Sequence, residues 1–341
     1  MSDVDDEVPQ LAVLLGRADD MRAVVYVRVL DFPEGWGDNV SDHAWSVEGT
    51  LRGPRCALAT TLPTKARFRG LLPSSGEARE DVMPTAEAIL VEPGYWSPEL
   101  PNRYQLDLYL KAPAGRELRW SQLVGVRRLG HRDGAFRLDG RRYVPRAVCW
   151  PHAIRGGDPA ALAGLGDARA CAAALWVDLP ASACCEAADR DGVMLVAQLP
   201  DHLRDAEATR EAARLAAHPS VGFLVLGPQH LPLLPRWRRF RGTLQLGLSV
   251  DGEVPPPWQG DGQASMEGLD FLVGQLGNTL PHDGWRCPPP LPVLIRRSLA
   301  GEARLLSIEG ARNGCDTLQA DMAAWLAAGT SPAWEPAGYA V

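Results

Sequence analysis

The second half of the chain alternates short apolar runs with stretches that have the period of a helix, and this alternation constrains the fold more than any other feature. Val193–Leu199 is an apolar run, and Asp205–Ala217 after it carries its charges on one side of a predicted helix. Strands that alternate with helices form right-handed βαβ units and a parallel sheet. About eight strand candidates follow residue 142, which predicts a compact TIM (β/α)8 barrel. The predicted strands are Tyr143–Trp150, Ala170–Val177, Val193–Leu199, Val221–Gly227, Gly242–Val250, Leu269–Val273 and Pro292–Ile295, with residues 337–341 ending the chain, and the predicted helices are Pro159–Asp167, Ser182–Arg190, Asp205–Ala217 and Ala311–Ala328.

The first 130 residues have the period of β-strands instead. Tyr104–Leu110 (YQLDLYL) alternates polar and apolar residues, and Met21–Leu30 and Ala86–Val91 do the same. Turn clusters such as Pro73–Gly76 separate these runs, a pattern that favours an antiparallel sandwich. A chain of 341 residues also exceeds the size at which a single core stops growing. The sequence therefore predicts a disordered tail at 1–11, a β-sandwich at 12–130 and a barrel domain at 131–341.

The charge balance argues against a nucleic-acid partner. The chain has 35 Lys and Arg against 42 Asp and Glu, a net charge of −7, whereas phosphate binding needs a basic surface. The arginine-rich segment Arg236–Arg241 is predicted to be a solvated helix face, with a small anion site as the alternative. No apolar run is long enough to cross a membrane, and the acidic N-terminus differs from a secretory signal. We therefore expect a cytoplasmic protein without a membrane partner.

The cysteines do not indicate a metal centre or a disulfide framework. There are seven of them, none in a C-x-x-C spacing, and Cys184 and Cys185 are adjacent. Small, reduced core residues are the expected interpretation. The sequence also contains no phosphate-binding loop and no dinucleotide fingerprint, so we expect no metal and no cofactor.

Four segments, taken in order, resemble one enzyme family. Residues 95–106 (YWSPELPNRYQL) are similar to a W-x-P-E-x-P-x-x-Y-x-L motif, and residues 124–127 (VGVR) to the F-G-F-R that follows it. Residues 136–148 resemble F-x-L-N-G-K-P-x-x-L-R-G-V, and residues 217–229 resemble N-H-P-S-V…L-G-N-E. These motifs are typical of glycoside hydrolase family 2, the β-galactosidase, β-mannosidase and β-glucuronidase group. The resemblance covers residues 95–341 and implies an immunoglobulin-like β-sandwich followed by a TIM barrel, without the jelly-roll domain that opens the family's chains.

The same resemblance implies that both catalytic positions have changed. The family's acid/base is the glutamate of the N-E pair, and here that pair reads Pro228-Gln229; an amide has no ionisable proton to transfer. The family's nucleophile lies in P-x-x-x-S-E-x-G, and the segment from Pro292 to Leu299 places Arg297 at the glutamate, where a guanidinium stays protonated. A second alignment keeps a carboxylate at Glu309. That glutamate also fits the first turn of the last helix, where acidic residues are favoured.

Side chains that follow the barrel strands are the candidates for ligand binding, because barrel active sites lie at the C-terminal ends of strands. Eleven tryptophans against six Phe and six Tyr is a notable bias. Tryptophans in barrel loops could stack on sugar rings, with core packing as the alternative. The candidate substrate-binding residues are Trp150, His152, Trp176, Asp178, Gln198, His230, Trp258 and Trp285.

Two functions follow from these observations. The first is a non-catalytic protein on a glycosidase fold that binds carbohydrate or a protein partner, or acts as a scaffold, because Gln229 and Arg297 replace the catalytic glutamates. The alternative is an active β-glycosidase that hydrolyses O-glycosidic bonds with a relocated carboxylate, Glu309 or Asp178.

Overall fold

The computed structural model describes residues 11–30, 46–71, 85–111, 117–150, 159–254, 266–277, 279–282, 285, 290–298, 307–329 and 335–341. These residues form two compact units. One unit takes its residues from 1–96, 100–127 and 239–242, and the other from 97–99, 128–238 and 243–341. Most of the predicted tail lies outside the described residues, and Leu11, its last member, is the first residue of a strand.

The first unit is an antiparallel sheet of seven strands that curls into a sandwich. The strands are β1 (Leu11–Ala18), β2 (Arg22–Val29), β3 (Ser46–Arg55), β4 (Thr64–Leu71), β5 (Thr85–Val91), β6 (Arg103–Lys111) and β7 (Glu117–Val124), in the order β1-β2-β5-β4-β3-β6-β7. The first residues of β4 pair with β3 and its last three pair with β5, so one strand belongs to both leaves. The predicted runs at 21–30, 86–91 and 104–110 correspond to β2, β5 and β6.

Alternation along the strands builds the core of this unit. In β6, Tyr104, Leu106, Leu108 and Leu110 are buried, while the residues between them are partly or fully exposed. Successive side chains of a strand point to opposite faces, so a period-2 sequence buries one face of the sheet. The buried face of β6 packs with that of β2 in a single apolar core, and the predicted sandwich is confirmed.

The second unit is a closed parallel barrel of eight strands. A three-stranded sheet precedes it: β8 (Leu129–Arg132), β9 (Ala135–Leu138) and β10 (Arg141–Arg142). The barrel strands are β11 (Arg146–Cys149), β12 (Ala174–Asp178), β13 (Leu195–Gln198), β14 (Val221–Leu226), β15 (Gln245–Asp251), β16 (Phe271–Leu276), β17 (Val293–Arg297) and β18 (Gly338–Ala340). The last strand pairs with both β17 and β11, which closes the barrel. The predicted TIM barrel is therefore confirmed.

Helices follow the strands. They are α1 (Pro159–Ala170), α2 (Ser182–Asp191), α3 (Asp205–Ala216), α4 (Leu234–Trp237) and α5 (Ile308–Ala327), with a 3₁₀ helix at Pro228–Leu233. The last helix begins three residues earlier than the sequence predicts, because the Ser307 side chain accepts a hydrogen bond from the Gly310 N–H and caps the N-terminus. In the arginine-rich segment, Arg236 and Arg238 are exposed and Trp237 is buried, as expected for a solvated face.

Aromatic rings fill the base of the barrel. Phe223 on β14 and Phe271 on β16 meet edge to face, with 5.6 Å between their ring centroids. Phe136 of β9 packs against both, at 4.8 and 5.5 Å. Gly247 on β15 leaves room for this cluster, because a Cβ atom there would lie 2.2 to 2.5 Å from the Phe271 ring. Gln245 on β15 is a buried polar residue at this end, where its Oε1 lies 3.2 Å from His131 Nδ1. Further polar side chains lie toward the C-terminal ends of the strands.

Candidate functional site

The register of the barrel strands brings polar side chains to its C-terminal mouth. Cα partners in neighbouring parallel strands point to the same face. Cys149 pairs with Trp176, and Asp178 pairs with Gln198. On the other side of the barrel, Asp251 pairs with Gln275, which pairs with Arg296, and Ser249 precedes Asp251 by two positions. We call these eight positions the mouth: Cys149, Trp176, Asp178, Gln198, Ser249, Asp251, Gln275 and Arg296.

Arg296 organises one side of the mouth. Its Nη1 donates to Gln198 Oε1 at 2.9 Å, and its Cζ lies 4.4 Å from the centroid of the Trp176 ring. The indole Nε1 of Trp176 donates to the same Gln198 oxygen at 3.0 Å. Trp176 is only 2% exposed. The guanidinium thus stacks on a buried aromatic face, and the amide fixes its orientation.

Cys149 contributes the thiol among the mouth residues, and the charge of Arg296 influences its pKa. Burial is the main cause that raises the pKa of Cys149 above its ordinary value, and the negative charge of Asp178 acts in the same direction. The charge of Arg296 and its hydrogen bond to the thiol oppose this shift. Cys149 is therefore held as a neutral thiol at neutral pH, which disfavours it as a nucleophile.

Gln229 is engaged in a local contact beside the mouth. It lies in the 3₁₀ helix after β14, and its Nε2 donates to Asp201 Oδ1 at 2.7 Å. Both side chains are exposed. An amide has no ionisable proton, so Gln229 cannot act as a general acid.

Arg297 and Glu309 lie away from the barrel interior. Arg297 Nη1 forms an ion pair with Asp321 Oδ2 of α5 at 2.7 Å, so it points to the outer face of β17. Glu309 is exposed in the first turn of α5, where the sequence had predicted it as the alternative to a catalytic role. The residue of β17 that faces the mouth is Arg296 rather than Arg297.

Two of the predicted tryptophans also face outward. Trp150 packs on α1, because a Cβ atom at Gly164 would lie 2.7 Å from its ring, and its Nε1 has no hydrogen-bond partner in the described part of the chain. Trp285 is fully buried against Gly274, whose side is opposite to that of Gln275 on β16, and its Nε1 donates to the Val254 carbonyl at 3.1 Å. Trp150 and Trp285 are therefore packing residues, which was the alternative prediction for the tryptophans.

Of the other residues predicted to bind a substrate, some lie in the mouth and some do not. Trp176, Asp178 and Gln198 belong to the mouth. His230 is 1% exposed, and neither of its ring nitrogens has a hydrogen-bond partner within the described ranges. His152 and Trp258 lie outside the described residues.

Five residues of the mouth were not predicted from the sequence as binding residues: Arg296, Cys149, Ser249, Gln275 and Asp251. The alternation of β17 holds the signal that could have found the first of these. Leu294 and Arg296 share a face in a strand, and Arg297 takes the other face. Strand alternation therefore places the two adjacent arginines on opposite faces of β17, a difference that a motif alignment does not show.

The described residues contain neither a metal-binding cluster nor a membrane-spanning helix. No three His, Cys, Asp or Glu side chains there form a group that could hold a metal ion. No helix in the same ranges is both long and apolar enough to cross a membrane.

Among the solved structures to which the chain is similar are glycosidases. A β-glucuronidase of Bacteroides uniformis is 15% identical with a TM-score of 0.54, over 86% of this chain and 40% of its own. A glycosyl hydrolase family 2 member from Bacteroides cellulosilyticus is 16% identical with a TM-score of 0.53, over 79% and 39%. A β-D-glucuronidase of Dictyoglomus thermophilum is 10% identical with a TM-score of 0.59, over 97% and 61%. The chain has the fold of glycoside hydrolase family 2.

The family 2 resemblance of the motifs is thus confirmed at the level of the fold. This chain spans about 40 to 60% of the length of these neighbours. No protein-family model matches the sequence, and no curated protein is significantly similar to it.

Proposed function

We propose that the barrel binds carbohydrate at its mouth without hydrolysing it. The observation that carries this proposal is Arg296, a cation at the inner C-terminal end of β17, which is the strand on which the family 2 resemblance places the nucleophilic carboxylate. A guanidinium has no lone pair to attack a sugar, and its pKa keeps it charged. The names of the neighbours, which include β-glucuronidases, support a sugar as the ligand.

The carboxylates near the mouth support binding rather than hydrolysis. Asp178 and Asp251 are exposed at the C-terminal ends of β12 and β15. Asp201 is bonded to Gln229, and Asp251 Oδ1 accepts from the Glu253 N–H at 2.8 Å. These groups suit hydrogen bonds to hydroxyls better than a nucleophile and acid pair.

Turnover of activated aryl β-glycosides tests the proposal, because such substrates need little acid assistance. We expect the purified protein to release no aryl alcohol above the buffer rate from glucoside, galactoside, mannoside and glucuronide probes, and to bind at least one sugar in calorimetry. Glu309→Gln and Asp178→Asn variants are measured in parallel. Turnover that either substitution abolishes would establish an active glycosidase with a relocated carboxylate, and would make the proposal wrong.

A further inference from the structure

Among the described residues, the guanidinium of Arg296 is a partly buried cation without a carboxylate partner. Its contacts there include the Gln198 amide oxygen and the Trp176 ring. The Nε of Arg296 is buried and has no hydrogen-bond partner in the same part of the chain. A charge removed from water is costly unless it is paired, so this arrangement is stabilised when an anion is present.

Other arginines of the same unit show how unusual this is. A cavity of about 400 Å³ lies near the N-terminal end of β11, between it and α5, and is lined by two arginines. There Arg142 pairs with Glu335 at 2.5 Å, and Arg146 pairs with Asp316 at 2.8 Å. Arg297 pairs with Asp321. Described carboxylates pair with these three arginines, whereas none of the described carboxylates pairs with Arg296 in the mouth.

Donors also exceed acceptors around Arg296. The Gln198 Oε1 already accepts two hydrogen bonds, from Trp176 Nε1 and Arg296 Nη1. A carbonyl oxygen accepts two such bonds, so the remaining capacity of Gln198 is its NH₂ group. The guanidinium contributes only donors. A ligand that fits this side of the mouth must bring acceptor oxygens, and an oxyanion brings the most.

We propose that Arg296 and Gln198 bind the oxyanion of an acidic sugar, a carboxylate or a sulfate group. The inference rests on the proposed function for the sugar part of the ligand, and on the donor arrangement for its charge. The planar guanidinium can donate two parallel hydrogen bonds to either group. The Trp176 ring holds the guanidinium in place before the ligand arrives, which lowers the entropy cost of binding.

Two carboxylates of the mouth act against an anion and set its position. Asp178 and Asp251 are exposed at the rim, on β12 and β15. They repel an oxyanion there, and accept hydrogen bonds from sugar hydroxyls instead. We therefore expect the charged group of the ligand to point inward to Arg296 and the neutral hydroxyls to lie at the rim.

Calorimetric titration of the full chain tests the inference with four probes: D-glucose, D-glucuronate, D-glucose 6-sulfate and inorganic sulfate. We expect an acidic sugar to bind at least about tenfold more tightly than glucose, since its oxyanion accepts charge-assisted hydrogen bonds from Arg296. The stronger of the two acidic sugars identifies the carboxylate or the sulfate as the source. Arg296→Gln should remove this preference, and Asp178→Asn should strengthen it.

Arg297→Gln is the matched control, because it removes the same charge one residue away on the outer face of β17. It should leave the affinity for the acidic sugar within about twofold of that of the unsubstituted chain. Arg296→Lys keeps the charge but not the planar pair of donors, and should bind with intermediate affinity. A thermal unfolding transition is measured for each variant, so that affinities are compared only between folded proteins.

The outcomes separate this inference from the proposed function. Glucose binding as tight as that of the acidic sugars, unchanged in Arg296→Gln, overturns the anion site and leaves the carbohydrate function standing. Sulfate binding that depends on Arg296, with no sugar bound, supports the anion site and makes the carbohydrate function wrong. Binding of none of the four probes overturns both.

Discussion

Arg296 and Arg297 are consecutive residues of β17, and their guanidinium groups lie on opposite sides of the barrel wall. Arg296 Nη1 bonds to Gln198 on β13, across the interior, and Arg297 Nη1 bonds to Asp321 on α5, outside it. The pleat of the strand produces this separation, because successive side chains point to opposite faces. Arg296 thus has no carboxylate partner among the residues that the structure describes, and Arg297 is part of the packing between strand and helix.

This difference predicts opposite effects on stability. Arg296→Met should raise the free energy of unfolding by about 1 kcal/mol, because it removes an unpaired, partly buried charge and keeps the apolar contact with Trp176. Arg297→Met should lower it by about 0.5 to 1 kcal/mol, because Asp321 loses its partner. Urea denaturation measures both. A loss of stability in Arg296→Met would indicate that the charge is already satisfied in the free protein.

The cluster around Asp189 should contribute strongly to the stability of the barrel. Asp189 on α2 is 6% exposed; its Oδ2 lies 2.8 Å from His218 Nδ1, and its Oδ1 accepts from the Ser220 N–H at 2.9 Å. Asp189→Ala leaves buried polar groups unpaired and should lower the free energy of unfolding by about 2 to 4 kcal/mol.

Asp191→Ala on the same helix is the control for Asp189. Asp191 pairs with its neighbour Arg190 near the surface, at 2.8 Å. Exposed pairs contribute little, so the expected loss is under about 0.5 kcal/mol. Equal losses in the two variants in urea denaturation would contradict the assignment of a buried network.

Gly247 should not tolerate a side chain. A Cβ atom there would lie 2.2 to 2.5 Å from the ring of Phe271, which packs between Phe136 and Phe223. Gly247→Ala should therefore lower the free energy of unfolding by about 1 to 3 kcal/mol through overpacking. Gly166→Ala in α1 is the matched variant, since a Cβ atom there meets nothing within 4 Å.

A helical alanine is more favourable than glycine by about 0.8 to 1 kcal/mol. Gly166→Ala should accordingly raise the melting temperature, while Gly247→Ala lowers it. Both variants add one methyl group to the protein. A change in melting temperature of the same sign in both would show that the space around Phe271 is not limiting.

Buried thiols should make the protein less stable in alkaline solution. Burial raises the pKa of Cys184 from the usual 9.0 to about 11, and that of Cys315 to about 12. In the unfolded chain both thiols ionise near 9, so above this pH the unfolded state binds fewer protons than the folded state. The free energy of unfolding should fall as the pH rises from 9 to about 11, by up to about 1.4 kcal/mol per pH unit for each thiol.

Urea denaturation between pH 7 and pH 11 measures this dependence. Cys184→Ala should reduce the alkaline slope and leave the slope between pH 7 and 8 unchanged, because the thiol is neutral in both states there. An unchanged alkaline slope in Cys184→Ala would assign the loss of stability to other groups.

The sequence by itself determined the elements and their order. Apolar runs of the right length predicted strands that overlap β11 to β17, and Glu309 was predicted to fit the first turn of the last helix. The alternation at 104–110 predicted β6 together with its buried face. These predictions depend on local physics, since periodicity and helix capping involve residues close together in the chain.

The tertiary structure alone decided which side chains meet in the mouth. A motif alignment selected Arg297, whereas the register of β16, β17 and β18 turns Arg296 inward. Gln198 bonds to an arginine 98 residues away, and Trp176 stacks under the same group. Trp150 and Trp285, predicted for the ligand site, pack on Gly164 and Gly274 at the outer face of the strands. Such contacts depend on strand pairing between distant segments, and a shift of one residue in register would reverse every one of them.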